Sequence, residues 1–278
     1  MSRTVDQPVM GQPMRVWEGE DCSFPKPGEL IEIRDHSSMT MQDRRVLNML
    51  LTNAWPRITE QIEHSIPKSL LRGEHNSNDR LGDTIDRLMK TIVVLKVVRN
   101  GRTSDLKVQL LGPTVENRDD SGNLYYRFLP EMIEIIAQSD HWARLQAQVM
   151  LALTSKYAIA LYEMIEKRAG LKSKFCEEFT VEEIRDVLGV PDGRMTKWAD
   201  LYRFALEPAA RQVREMSNCV VSIDPIRAGR QVPRVRLAWF RKDEEGLKLT
   251  YQAVEKNKTE RRNRRTGKGS RAQQELAL

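Results

Sequence analysis

Cysteine is scarce in this sequence, and its placement excludes a disulfide scaffold. Cys22, Cys176 and Cys219 are odd in number and far apart, the pattern of free thiols rather than a framework. Histidine is equally thin: His36, His64, His75 and His141 are scattered, and no Cys or His pair has the spacing of zinc ligands. No apolar run approaches the ~18 residues that suggest a membrane span. The opening MSRTVDQPVMGQPM lacks the apolar core of a secretory signal. These absences lead to an expectation of a reducing cytoplasm, with no membrane partner, metal or cofactor.

What is present is enough for two ordinary domains. The chain has 278 residues, of which 40% are hydrophobic, so real cores can form. Net charge is +6 and the isoelectric point about 9.2, which favours a polyanionic partner, most commonly nucleic acid. A basic ribosomal, membrane-surface or chaperone-like protein fits the same numbers.

Along the chain, residues 1–28 hold Pro8, Pro13, Pro25 and Pro27 with little periodicity and read as a flexible arm. LIEIRD (30–35) is a short strand candidate. Thr40 and Asp43 are placed to cap a helix burying Val46, Leu47, Leu50, Leu51 and Ala54, which stops near Trp55-Pro56. A short helix around IPKSLLRG (66–73) precedes NDRLGDTIDRLMK (78–90), whose Arg80, Arg87 and Lys90 face outward. TIVVLKVV and LKVQLL then flank Asn100-Gly101, a hairpin signal, with Arg102 at the tip. LYYRFLP (124–130) reads as a third strand and EMIEIIAQ (131–138) as a helix.

The second half repeats that order. TSKYAIALYEMIEKRAG (154–170) and FTVEEIRDVLGV (179–190) read as helices, the second opened by a Thr180–Glu183 capping box and ended at Gly189. The third is KWADLYRFALEPAARQV (197–213). At 100° per residue, Trp198, Leu201, Tyr202, Ala205, Leu206, Ala209 and Val213 share one arc. The opposite arc is mostly basic, and Phe204 is the one large apolar residue out of place. Pro208 is expected to remove the bond to the Phe204 carbonyl and bend or restart the helix. CVVSIDPI (219–226) and PRVRLAWF (233–240) then flank the basic tip RAGRQ.

Three helices followed by a two-stranded wing, occurring twice, predict an α+β chain of two tandem winged-helix domains. The expected bounds are 29–148 and 149–242. A basic disordered tail occupies 243–278, where residues 256–272 hold eight Lys or Arg and one acid; its start, LKLTYQAVEK, is compatible with a helix.

A winged-helix third helix enters the major groove, about 12 Å wide. On that reading Lys197 and Arg203, with Arg194 and Thr196 beside them, face base edges. Arg211 and Arg214 meet phosphates beyond Pro208. Arg227, Arg230 and Arg234 of the wing hold the neighbouring backbone or minor groove. In the first domain Arg80, Arg87, Lys90 and Arg102 take the corresponding places. Each assignment competes with a solvated basic face or a wing whose charges blunt a strand edge.

The residues that follow one another here resemble the iteron-binding plasmid replication initiators, the Rep family. The family pattern runs from an "LYE" helix, matched at Tyr157, Leu161, Tyr162 and Glu163, to "FT-x-x-E-hydrophobic-R", matched at Phe179, Thr180, Ile184 and Arg185. It continues through "hydrophobic-E-P-A", matched at Leu206, Glu207, Pro208 and Ala209, to a wing with Gly229 and Arg230. The resemblance covers roughly residues 30–242 and is specific from about 150 onward. Family members often carry several basic residues before the LEPA-like turn, where this sequence has only Arg203 between Tyr202 and Phe204. The resemblance implies binding of double-stranded origin DNA at directly repeated iterons, melting of an adjacent AT-rich segment, and recruitment of the host initiator and replicative helicase. It also implies a homodimer, formed through the N-terminal domain, that represses the protein's own gene.

Catalysis finds little in the sequence. A nicking initiator needs a nucleophilic tyrosine and a His-hydrophobe-His metal cluster; Tyr125-Tyr126 stands without one. TGKGS (266–270) lacks the first glycine, the strand and the helix of a phosphate-binding loop. No catalytic residue is expected. The competing expectation is a winged-helix regulator or adaptor that binds DNA without opening it.

Overall fold

The computed structural model describes residues 23–31, 33, 39–72, 78–99, 101–116, 122–139, 141–170 and 174–265. Strand β1 (Ser23–Pro27) comes first, with Phe24 and Lys26 buried. Gly28–Leu30 is a 3-10 turn, so LIEIRD does not start as the expected strand; its residues 32, 34 and 35 lie outside the described residues. Helix α1 (Met41–Ala54) is held open by the expected box: Thr40 Oγ1 accepts from Asp43 N–H, and Asp43 accepts from Thr40 N–H. All five apolar residues expected inside α1 are buried. Strand β2 (His64–Pro67), helix α2 (Lys68–Leu71) and helix α3 (Asn78–Lys90) follow, α3 burying Leu81, Ile85 and Leu88.

The first wing is the hairpin of β3 (Ile92–Arg99) and β4 (Arg102–Gln109). Gly101 at its tip has φ 71°, a left-handed conformation that a glycine adopts without a Cβ clash. Strands β5 (Thr114–Glu116) and β6 (Asn123–Tyr126) join β2 in a separate sheet of order β2-β6-β5. Tyr126 is fully buried there; its hydroxyl donates to the Leu50 carbonyl at 2.6 Å and accepts from Asn53. Helix α4 (Pro130–Gln138) closes the first core with Met132, Ile133 and Ile136.

Strand β7 (Trp142–Gln146) pairs antiparallel with β1, Phe24 opposite Leu145. Residues 23–28 of the expected flexible arm are therefore part of a strand and a 3-10 turn. Pro25 and Pro27 misled the reading, because a proline is tolerated where a strand has a free edge; residues 1–22 lie outside the described residues. Helix α5 (Ala147–Ala152) continues from β7. Phe24, Ala143, Leu145, Ala147 and Val149 all belong to the second core. Ala143, Leu145 and Ala147, expected in the first domain, thus pack in the second core, while Trp142 packs edge-on against Trp55 of the first, ring centroids 5.0 Å apart.

Helix α6 (Lys156–Ala169), N-capped by Ser155, is buried on nearly every side from Ala158 to Glu166 because it runs between the two units. It contacts α1 on one side and the elements that follow on the other. Strand β8 (Cys176–Thr180) leads into helix α7 (Val181–Leu188), with the expected Thr180–Glu183 box and Gly189 at φ 67°. Helix α8 (Trp198–Leu201), a π-turn at Tyr202–Leu206 and helix α9 (Glu207–Met216) form the third helical segment. Strands β9 (Cys219–Ala228) and β10 (Gln231–Arg241) make the second wing, in a sheet of order β8-β10-β9.

Helix α10 (Glu244–Arg265) replaces the first part of the expected disordered tail. Thr250 and Val254 are buried where it packs on α9 and α5, and Lys242 Nζ donates to Thr250 Oγ1. The density of charge hid the two inward residues. Residues 266–278 lie outside the described residues.

Candidate nucleic-acid interface

The loop between α7 and α8 is held from beneath. Arg185 on α7 donates from Nη1 to the carbonyls of Arg194 and Met195. Met195 has φ 46°, a left-handed backbone that a residue with a side chain rarely adopts, and the Arg185 contacts pin it. The consequence is a fixed start for the third helix, with Arg194, Thr196 and Lys197 exposed.

The helix then runs on through Pro208 instead of breaking. Pro208 is the second residue of α9 and donates nothing to Phe204. The chain accommodates this by widening the preceding turn, where Glu207 N–H reaches back five residues to the Tyr202 carbonyl. Such π-turns occur frequently at functional sites. Leu201, Ala205, Leu206, Ala209, Ala210 and Val213 are buried, and Trp198 packs on Tyr202 with ring centroids 5.5 Å apart. Arg203, Phe204 and Arg211 are exposed on the outer face. The Arg203 guanidinium lies over the Phe204 ring, 5.2 Å from its centroid.

Arg214 is engaged inside the domain. It pairs with Glu207 at 2.5 Å and donates to the Val221 carbonyl at 2.9 Å, joining α9 to β9. On the wing, Gly229 takes φ 62° at the tip, with Arg227 and Arg230 exposed beside it. Arg234 and Arg236 share Glu178 of β8 at 3.6 and 2.6 Å. The Arg236 hydrogen bond holds the Glu178 carboxyl below its ordinary range. Arg236 was missed in the sequence, although the alternation in PRVRLAWF puts it on the same face as Arg234.

The first unit presents its cations differently. Arg87 makes a two-pronged contact with Asp43, at 3.0 and 2.8 Å, and so ties α3 to α1 rather than facing outward unpaired. The cause is Asp43 itself, whose side chain is fully buried and acts in the α1 cap. Lys90 pairs with Asp86 at 3.0 Å on the surface. Arg80 and Arg102 are exposed. The outer face of α3 is therefore of mixed charge; that of the third helical segment in the second unit carries exposed Lys197, Arg203 and Arg211, with Asp200 and Glu207 half-buried on the same arc.

A helix pair, a third helix with an outward face, and a hairpin wing recur in both halves, which defines a tandem winged-helix DNA-binding protein. Residues 25–166 match the first winged-helix domain of initiator replication proteins ("Initiator Replication protein, WH1"), and residues 180–239 match the second ("Initiator Rep protein, WH2"). The first match alone spans more than half of the chain, and the chain belongs to this family of replication initiators. That match runs through most of α6, the helix that packs on both units. Among curated proteins, none matches the chain.

Proposed function

We propose that this initiator binds iterons, directly repeated sites in a plasmid origin, as a sequence-specific reader of double-stranded DNA. It then helps to melt the neighbouring AT-rich segment and recruits the host initiator and replicative helicase. A dimer formed through the first domain represses the protein's own gene. The protein acts without catalysing a bond change, in the bacterial cytoplasm; no helix among the described residues is long and apolar enough to cross a membrane.

The observation that carries this reading is the row of exposed cations, Lys197, Arg203 and Arg211, on a helix anchored by Arg185, beside a wing tipped with Arg227 and Arg230. Phosphate contacts from such a wing fix register, and base contacts from the helix give sequence. Permanganate footprinting on supercoiled DNA carrying the origin tests it. Unpaired thymines beside the protected repeats are expected. Protection without any unpaired thymine would leave a DNA-binding regulator that opens nothing.

A further inference from the structure

Phe204 sits on the outward face of the third helix, 55% exposed, while Ala205 and Leu206 next to it are fully buried. An aromatic ring left in water among charged side chains gains nothing from the fold. Ordinary helical periodicity already points it outward, and the π-turn draws it closer to its neighbour. A turn closed by a bond over five residues spreads more residues around each revolution, so consecutive side chains subtend a smaller angle than in an α-helix. Arg203 and Phe204 consequently project side by side, the guanidinium 5.2 Å from the ring centroid. Beneath them the Trp198–Tyr202 stack and buried Leu201 fix the backbone.

We infer that Arg203 and Phe204 read adjoining base pairs as one unit: Arg203 takes guanine, and the Phe204 ring packs on the 5-methyl group of the neighbouring thymine. In the major groove arginine matches guanine O6 and N7, and thymine alone among the bases offers a methyl group there. The ring also fills the space beside the guanidinium and restricts its orientation, which lowers the entropy lost when the arginine engages a base. The site preference of the protein therefore includes a thymine next to the guanine that Arg203 reads. This inference rests on the proposed reading of the third helix as the base-contacting element.

The test uses the full chain. Selection from a randomised duplex pool gives the preferred site, and binding by Arg203→Ala identifies the guanine whose preference is lost. Each flanking thymine is then replaced by deoxyuridine, which removes only the methyl group. Wild type is expected to bind the deoxyuridine duplex about fourfold more weakly at one flanking position, the transfer value of one methyl group. Phe204→Ala is expected to bind both duplexes equally. Since Phe204 is exposed, thermal melting should show the variant folded.

Equal wild-type binding to thymine and deoxyuridine at both flanks would overturn the inference. So would a Phe204→Ala protein that keeps the discrimination, even if its guanine preference falls, because Phe204 would then only support Arg203. A preferred site that is unchanged in both Lys197→Ala and Arg203→Ala would instead remove the third helix as reader, and this inference with it.

Discussion

Lys26 Nζ donates to Glu163 Oε1 at 2.8 Å, joining β1 to α6 with both side chains shielded from water. The same oxygen accepts from Asn48 on α1 at 2.8 Å, and Arg44 of α1 lies 3.5 Å from Oε2. Glu163 on α6 is thus shared by β1 and α1. Nearby, Arg45 donates to the Leu151 and Leu153 carbonyls, a second tie from α1 to the second unit. Burial lowers the Lys26 pKa and the adjacent carboxylate raises it, burial being the larger effect.

Removing the acid strands two buried cations. Glu163→Ala is expected to destabilise the chain by about 3–5 kcal/mol, the range for breaking one partner of a buried pair. Glu163→Gln keeps the shape and part of the hydrogen bonding, so its loss should be smaller. Urea unfolding of both variants beside wild type checks the order. Equal midpoints for all three would show that the cluster contributes nothing to stability.

Cys219 is buried beside Glu166 and Arg241, and its thiol is pushed up from the ordinary 9.0 to about 12, chiefly by burial. Between those values the folded chain keeps a proton that the unfolded chain has lost. Its contribution to stability is therefore fully present below pH 9 and is lost as pH rises toward 12, by about 1.4 kcal/mol for each unit. Cys219→Ala should flatten the decline of stability above pH 9 seen in unfolding titrations. In native protein at pH 8, Cys219 should resist alkylation while exposed Cys176 reacts. Peptide mapping reads both, and rapid labelling of Cys219 would contradict its burial.

Arg87 and Lys197 looked alike in the sequence and should behave differently. Arg87→Ala leaves a buried carboxylate short of its partner and should cost about 1–3 kcal/mol of stability, with little effect on DNA selectivity. Lys197→Ala should leave the melting temperature unchanged and weaken binding to the preferred site. Thermal melts and duplex binding on the two variants decide it; a selectivity loss in Arg87→Ala would return α3 to the base-reading role.

Helices with clear caps were legible: α1 and α7 begin where Thr40 and Thr180 place them, and α7 ends at Gly189. Both hairpin tips were too, because Gly101 and Gly229 mark them. What escaped were features decided by distant partners. Strand β1 exists because β7 pairs with it, and β8 because β10 does. Arg87 pairs with the buried Asp43 of another helix, and Arg214 pairs with Glu207 and reaches the Val221 carbonyl of β9, contacts which periodicity on a single helix does not show. Phe204's outward place was legible in the helical periodicity and Pro208 signalled irregularity correctly, but the form of that irregularity, a π-turn over Tyr202–Leu206, is a property of backbone hydrogen bonding rather than of residue pattern.

The final prediction separates base reading from charge attraction. Arg203 stands on a folded helix; Arg261, Arg262, Arg264 and Arg265 come after the buried Val254 of α10. Ending the chain at residue 255 keeps Thr250 and Val254, so the packed part of α10 and the two winged-helix units should stay folded. It removes a dense block of positive charge that has no specific base to read. Arg203→Ala should cost about 1–3 kcal/mol against the preferred duplex and much less against a scrambled one. The truncated chain should instead weaken on both duplexes alike, and its slope of log K against log salt should flatten by roughly 0.9 for each phosphate that it no longer neutralises. Binding at several salt concentrations measures both effects. If the truncation leaves the slope unchanged, the charge of α10 lies away from the DNA. If Arg203→Ala weakens both duplexes equally, specificity must come from the first unit.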